Sequence, residues 1–283
     1  MKFHQSEALI LEVSDLAEAD RIVVFLTREE GKRRGVARGA KRRFSRFAGE
    51  LQPLAKARIG WMEKEGRDLV RIGSVELLRP VKVLQQDLEG ILLGATIAEQ
   101  VGLFAQEGEA SEVLFRLLDS TIEALESGRD RDLVARYFES WLLRSAGIFP
   151  PPIECPLCGR SFEGGAALPA SGEGLICREC ARGASGVTAV SPGAVQFWRR
   201  IGRENIESIS ADPPSVAVLA EVAAAIGQIR RHFLQHEVRS LAVMERTLES
   251  IGSSRSSRSI GAGSSTRSVN ADSRPGSLSK ERE

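Results

Sequence analysis

Four cysteines stand in two pairs, Cys155 with Cys158 and Cys177 with Cys180, in the pattern CxxC-x18-CxxC. Each pair can place two thiolates on one ion, and this spacing marks a four-thiolate structural zinc site, one Zn2+ per chain. Gly159, Gly164, Gly165, Gly172 and Gly174 crowd the intervening loop. The loop is too poor in apolar side chains to fold unaided, and a metal would supply what it lacks. Other uses of the cysteines fit less well. A catalytic zinc keeps one position open, whereas four thiolates close the shell. A zinc deaminase needs an H-x-E motif, and none of His4, His232 and His236 is followed two residues later by glutamate. A thioredoxin-like redox pair uses one CxxC rather than two.

A second group with chemical potential runs from Arg28 to Arg46. It holds nine basic residues, Arg28, Lys32, Arg33, Arg34, Arg38, Lys41, Arg42, Arg43 and Arg46, against Glu29 and Glu30. Gly31, Gly35 and Gly39 interrupt it, which disfavours helix and lets the backbone approach a ligand closely. Phe44 and Phe47 sit among the charges. Cations for phosphates beside aromatic faces for bases are what a single-strand groove needs, with stacking contributing roughly 1–3 kcal/mol per base. The expected nucleic-acid-binding set is therefore Lys32, Arg33, Arg34, Arg38, Lys41, Arg42, Arg43, Phe44, Arg46 and Phe47. The plainer alternative is a solvated basic loop that touches nothing.

The elements that must carry these groups divide the chain. Residues 1–80 read as five short strands: Leu9, Leu11 and Val13 alternating with Ile10 and Glu12; Ile22 to Leu26; one containing Gly35 to Ala37; Leu54 to Trp61; and Leu69 to Leu77. In the fourth, Ala55, Ala57, Ile59 and Trp61 share one side and Lys56 and Arg58 the other. Five strands in so short a span suit a small closed barrel of the OB-fold type. After Pro80 the apolar period becomes helical. Leu88, Ile91, Leu92, Ala95 and Ala98 mark one helix, Val113, Leu114, Leu117, Leu118 and Leu125 a second, and Leu133, Val134, Tyr137, Phe138, Trp141 and Leu142 a third, with Asp130 its N-cap. The cysteine module, 153–183, interrupts a helical domain spanning 81–250. Ser191-Pro192 starts another helix bearing Val195, Trp198 and Ile201. A longer one bears Leu219, Val222, Ile226, Ile229 and Phe233, continuing through Val238, Leu241 and Met244. His232 and His236 on it lack an acidic partner motif and read as surface or boundary residues. Residues 251–283, rich in Ser, Arg and Gly, are expected to be a disordered tail. The fold class expected is α+β multidomain.

The net charge of +1 hides an asymmetry. Residues 1–80 carry 17 basic and 12 acidic side chains, 81–250 carry 16 and 23, and 251–283 carry 6 and 3. A basic head on an acidic body confines polyanion binding to one face. No secretory signal and no apolar run of about 20 residues occurs, so a cytoplasmic location without membrane contact is expected. There is no Walker A motif and no nucleophile with a base, so no enzymatic activity is expected. The competing class is a non-enzymatic protein-binding scaffold with a structural zinc and no direct DNA role.

Taken in order, these parts resemble the RecO family of bacterial recombinational repair proteins over about residues 5 to 247. The most specific pieces are Glu18-Ala19-Asp20-Arg21-Ile22-Val23, the segment from Gly31-Lys32 to Ala37-Arg38-Gly39-Ala40, Ser45-Arg46-Phe47 leading to Leu51-Gln52-Pro53, and Cys155-Pro156-Leu157-Cys158-Gly159. The resemblance implies an OB-fold head that binds single- and double-stranded DNA and anneals complementary strands. It also implies partnership with RecR and with the acidic C-terminal tail of single-strand DNA-binding protein, and help in loading the RecA recombinase. One departure is Ala242-Val243, where such proteins often show a Lys-Ser pair bearing on a basic pocket for that tail.

Overall fold

Strands β1 (Lys2–Leu16), β2 (Asp20–Thr27), β3 (Gly31–Ala37), β4 (Lys56–Glu63) and β5 (Val70–Arg79) close into a barrel in the order β1-β2-β3-β5-β4, with β4 returning to β1. The computed structural model describes residues 1–233 and 238–247. The expected tail, 251–283, and His236 lie outside the described residues. All neighbouring strands are antiparallel except β3 and β5, which pair in parallel at Gly35–Val70 and Val36–Arg71. β1 is long enough to serve both neighbours. Its first half pairs β4 and its second half β2, and a register shift between Ile10 and Glu12 bends it between them. Two glycines in β3 are required by close approach. A Cβ on Gly35 would lie 2.8 Å from Ile72 Cγ1, and one on Gly31, which has φ of 67°, would lie 2.0 Å from the Glu109 carbonyl oxygen.

The barrel interior holds Ala8, Ile10, Val23, Phe25, Ala57, Ile59, Trp61, Val70, Ile72 and Val75. The expected alternation holds in β4 for Ala57, Ile59 and Trp61, whereas Ala55, just before the strand, packs in the core shared with the helices. In β1 it fails instructively, because Ala8, Leu9, Ile10 and Leu11 are all buried. Ala8 and Ile10 face the barrel interior, whereas Leu9 and Leu11 belong to the core shared with the helices. Helical packing on the outside of β1 therefore makes both of its faces apolar.

A single 3-10 turn, Val83–Gln85, leads into α1 (Leu88–Phe104), α2 (Glu112–Glu126) and α3 (Arg131–Ser145). Asp87, Ser111 and Asp130 cap these helices by accepting N–H groups from Gly90, Leu114 and Leu133. The carboxylate of Glu126 accepts the N–H groups of Lys82, Val83 and Leu84 at 2.8, 3.0 and 3.1 Å, which ties the exit from the barrel to the end of α2. Barrel and helices also meet through charge. Lys56 Nζ sits 3.2 Å from Glu7 and 3.0 Å from Asp119 of α2. The buried ring of Phe115 lies beneath Arg28 and Lys56 at 5.2 and 5.8 Å.

The buried face of α1 differs from the expected one. Leu88 and Ile91 are exposed, and Gly90, Leu93, Gly94, Ile97, Ala98 and Val101 are buried. Small residues win because α1 lies close to the preceding chain: a Cβ on Gly90 would meet the Leu84 carbonyl oxygen at 2.6 Å, and one on Gly94 would meet Leu54 Cδ1 at 3.0 Å. The second stripe is correct except for exposed Val113, and the third is buried, with Trp141 packed at its margin.

The α1 cap gives a test. Asp87 receives two parallel bonds from Arg131 of α3, at 2.8 and 2.9 Å. These bonds and the Gly90 N–H hold its carboxyl down at about 2. A depressed folded-state value stabilises the fold above the ordinary aspartate range and loses that effect as pH falls toward 2. The melting-temperature gap between the natural protein and an Asp87→Asn variant is therefore expected to be full at pH 6 and to shrink between pH 4 and 2. A gap that stays constant would contradict this role.

Beyond α3 come β6 (Ala166–Leu168), α4 (Arg178–Ala181), β7 (Thr188–Val190), α5 (Pro192–Ile201), α6 (Ile206–Ala211) and α7 (Val216–Phe233). β6 and β7 pair antiparallel. Ser191 caps α5 with Pro192 at its first position, as the sequence indicates. Buried Glu139 of α3 meets Arg136 at 2.9 Å and Arg230 of α7 at 3.5 Å, pairing a charge that would otherwise be costly. From 239 the chain is helical again. Its first turn is capped by Glu99 of α1, which accepts the N–H groups of Arg239 and Ser240 at 2.9 and 2.7 Å. Among the described residues, no helix is long and apolar enough to cross a membrane.

Candidate nucleic-acid interface and metal centre

The expected binding set divides by what each side chain touches. Lys32, Arg33 and Arg34 lie on β3, a regular strand, rather than on a flexible arm. Lys32 is partly buried and donates to the Gly102 carbonyl at 2.7 Å, and burial lowers its affinity for a proton. Arg33 pairs with Glu30 at 3.0 Å and Glu63 at 3.6 Å. Lys41 pairs with Asp15 at 2.8 Å. Arg33 and Lys41 thus have carboxylate partners and Lys32 a carbonyl, so all three are already engaged within the fold. Arg34, Arg38, Arg42, Arg43 and Arg46 are exposed, and among the described residues no carboxylate lies within 4.0 Å of any of them.

Residues 38–55 hold the last four of these arginines in place. Successive tight turns join Arg42 N–H to Gly39, Ser45 N–H to Arg42, Ala48 N–H to Ser45 and Glu50 N–H to Phe47. The segment also docks on the β1–β2 turn, through Lys41 N–H to the Ala19 carbonyl and Gly39 N–H to Asp20. Its inward side chains, Ala40, Phe47 and Leu51, plug one end of the barrel. Phe47 is only 2% exposed, with Arg46 lying 4.8 Å over its ring. It cannot offer a face to a base, and the sequence expectation for it is corrected. Phe44 does the opposite: it is 91% exposed, with Arg43 5.5 Å from its ring centre. An aromatic ring so exposed gains little from the fold, and it is fixed beside cations that lack carboxylate partners among the described residues.

Beside β3 lies a groove of about 870 Å³ between the barrel and α1. Its walls include Leu11, Val13, Ile22, Val24, Ile91 and Leu103, and Lys32, Arg34 and Arg239 reach its rim. Glu12, Glu99 and Glu107 stand among them, so the groove has no strong net sign. Arg71 is a residue that the sequence reading passed over. It is exposed on β5 opposite Val36, on the same outer face as Arg34 and Arg38. The alternation Val70 in, Arg71 out, Ile72 in was visible, but parallel pairing with β3 was not.

The four cysteines converge. Their Sγ atoms all lie within 4.8 Å of one another, and Cys158 and Cys177 are 3.6 Å apart. That distance rules out a disulfide, whose sulfurs are about 2.05 Å apart. It matches the roughly 3.8 Å edge of a tetrahedron with metal–sulfur bonds of about 2.3 Å. Backbone N–H groups support the sulfurs: Cys177 N–H donates to Cys155 Sγ at 3.3 Å and Cys180 N–H to Cys177 Sγ at 3.4 Å, the latter capping α4. The Arg160 N–H draws the Cys158 thiol below its ordinary range, while crowding by the Cys158 and Cys177 sulfurs drives Cys180 up. Four soft donors in this geometry can hold a metal ion. The module is less bare than its glycines imply. Phe162, Ala166, Ala167, Leu168, Leu175 and Ile176 are buried and continuous with the helical core, which corrects the expectation of a loop without apolar support.

Comparison with known proteins agrees with this arrangement. A family model described as recombination protein O N terminal matches residues 1–81, and one described as recombination protein O C terminal matches residues 85–242. Curated relatives named DNA repair protein RecO match most of the chain. The one from Anaeromyxobacter sp. (strain Fw109-5) is 33% identical over 86% of this chain and 94% of its own length. That from Desulforudis audaxviator is 30% identical over 87% and 98%, and that from Desulforamulus reducens 27% identical over 88% and 97%. With both halves matched in order, the barrel by one model and the helices with their cysteine cluster by the other, the chain belongs to the RecO family.

Proposed function

We propose that the protein is a DNA repair and homologous recombination mediator that binds single- and double-stranded DNA and anneals complementary strands. With RecR, it helps to load RecA onto DNA coated by single-strand DNA-binding protein, whose acidic C-terminal tail it contacts. The barrel, residues 1–80, is the DNA-binding unit. Its strand order and its one parallel pair, β3 with β5, support assignment as an OB-fold. The helical domain, 81–250, is interrupted by a structural zinc module, 153–183, with Cys155, Cys158, Cys177 and Cys180 as ligands. The protein works in the cytoplasm, at the nucleoid.

The observation that carries this is the turn segment whose inner side plugs the barrel while Arg38, Arg42, Arg43, Phe44 and Arg46 face solvent without carboxylate partners among the described residues. Fixed cations screen two strands that repel one another, and base pairing supplies the free energy. No catalytic residue and no nucleotide hydrolysis are needed, so the protein is not an enzyme. The test is the annealing rate of complementary oligonucleotides, naked and coated with the cognate single-strand binding protein. Acceleration is expected in both cases, and Arg42→Ala with Arg43→Ala is expected to reduce it severalfold at unchanged melting temperature. A protein that accelerates neither, or a variant that anneals normally, would overturn the proposal.

A further inference from the structure

A row of outward-facing residues crosses the barrel where β1, β4, β5 and β3 pair side by side. Following the strand pairing, Phe3 of β1 stands opposite Met62 of β4, Met62 opposite Arg71 of β5, and Arg71 opposite Val36 of β3. Phe3 is 60% exposed and lies over Gly60, where a Cβ would come within 3.4 Å of its ring. Arg71 is exposed and, among the described residues, has no carboxylate within 4.0 Å. Val36 is flanked on the same face by Arg34 and Arg38, each about 7 Å away along the strand. From Arg38 the chain passes directly into the turns that carry Arg42, Arg43 and Phe44.

We infer that a single strand of nucleic acid, held first at Phe44 and its arginines, continues over Arg38, Arg34 and Arg71 to a second aromatic anchor, Phe3. This rests on the proposed DNA binding and adds its path. Three strand spacings of roughly 5 Å separate Phe3 from Val36, a span of several nucleotides. The intervening surface offers Arg34, Arg38 and Arg71 with the half-buried side chains of Met62 and Val36, and the exposed ring of Phe3 stands at its far end. Such spacing suits a backbone track with stacking platforms and no base-specific readout. The groove beside α1, whose rim Arg34 shares, has balanced charge, and the path touches it only at Arg34.

The test is affinity for oligothymidylates of 4 and 12 nucleotides at fixed salt. The natural protein is expected to bind the longer one more tightly by tenfold or more, on the order of one added stacked base. Phe3→Ala with Arg71→Ala should remove roughly that gain, leave the short oligonucleotide within about twofold, and flatten the salt slope for the long one by about 0.7. Arg71→Lys should restore the slope, and Phe3→Leu should keep the fold without restoring the stacking gain. Arg42→Ala with Arg43→Ala should weaken both lengths alike. Unchanged length dependence in the Phe3/Arg71 variant, or equal weakening of both lengths by it, would overturn the path. Absence of binding by the natural protein would instead sink the underlying DNA-binding proposal.

Discussion

Removing the proposed zinc, by chelation or by Cys177→Ser, is expected to melt residues 154–163 and 176–182 while the barrel keeps its native transition. Cys177 carries the largest effect because it has three tasks: its sulfur is 3.6 Å from Cys158, it accepts the Cys180 N–H to start α4, and its own N–H supports Cys155. Apparent binding energies for structural zinc in small peptides are about 10–16 kcal/mol. Here the buried Phe162, Leu168, Leu175 and Ile176 join the helical core, so part of the module holds without metal. Gln228 of α7 also donates to the Pro169 carbonyl at 2.7 Å, pinning the β6 side. Hydrogen exchange should therefore rise sharply at the two cysteine knuckles and little at 166–168 and 188–190. Elemental analysis of protein purified without chelator should find about one zinc per chain. Finding no metal, or unchanged exchange at the knuckles after chelation, would contradict the structural role.

What the sequence disclosed depended on whether the signal was local. The cysteine cluster was legible because each CxxC pair fixes two ligands within one turn. The barrel strands were legible because Ala55, Ala57, Ile59 and Trp61 keep a strict period of two and all are buried. The buried face of α1 was not, since Gly90, Gly94, Thr96 and Gln100 occupy it and carry little of the apolar signal by which faces are recognised. β6 and β7, of three residues each, are too short to show a period. In the basic segment, sequence placed Phe44 and Phe47 on equal terms. Only the turn geometry separates a ring that plugs the barrel from one that faces solvent. The fates of Lys32, Arg33 and Lys41 were hidden for the same reason: Gly102, Glu63 and Asp15 reach them through tertiary structure.

That separation gives the second large effect. Phe47→Ala is expected to destabilise the barrel by about 3–5 kcal/mol, as other deletions of buried phenylalanine do, with DNA affinity at low temperature largely preserved. Phe44→Ala is expected to leave the melting transition unchanged and to cost about 1–3 kcal/mol of single-strand affinity, the worth of one stacked base. Equal stability losses in the two variants would mean that Phe44 is structural. Equal affinity losses would mean that the barrel plug, rather than the exposed ring, meets the bases.

The proposed grip on the polynucleotide is through its phosphates, by exposed arginines of the plug and of neighbouring β3 that have no carboxylate partner among the described residues. Its most direct test is the dependence of single-strand affinity on salt. Arg34, Arg38, Arg42, Arg43 and Arg46 are five such residues, and each released counterion contributes a slope of about −0.7. Leaving aside the further contact at Arg71, log affinity against log salt is expected to fall with slope about −3.5, relaxing to about −2.1 in the Arg42→Ala, Arg43→Ala protein. A slope near zero in the natural protein, or one that the double substitution leaves unmoved, would contradict it.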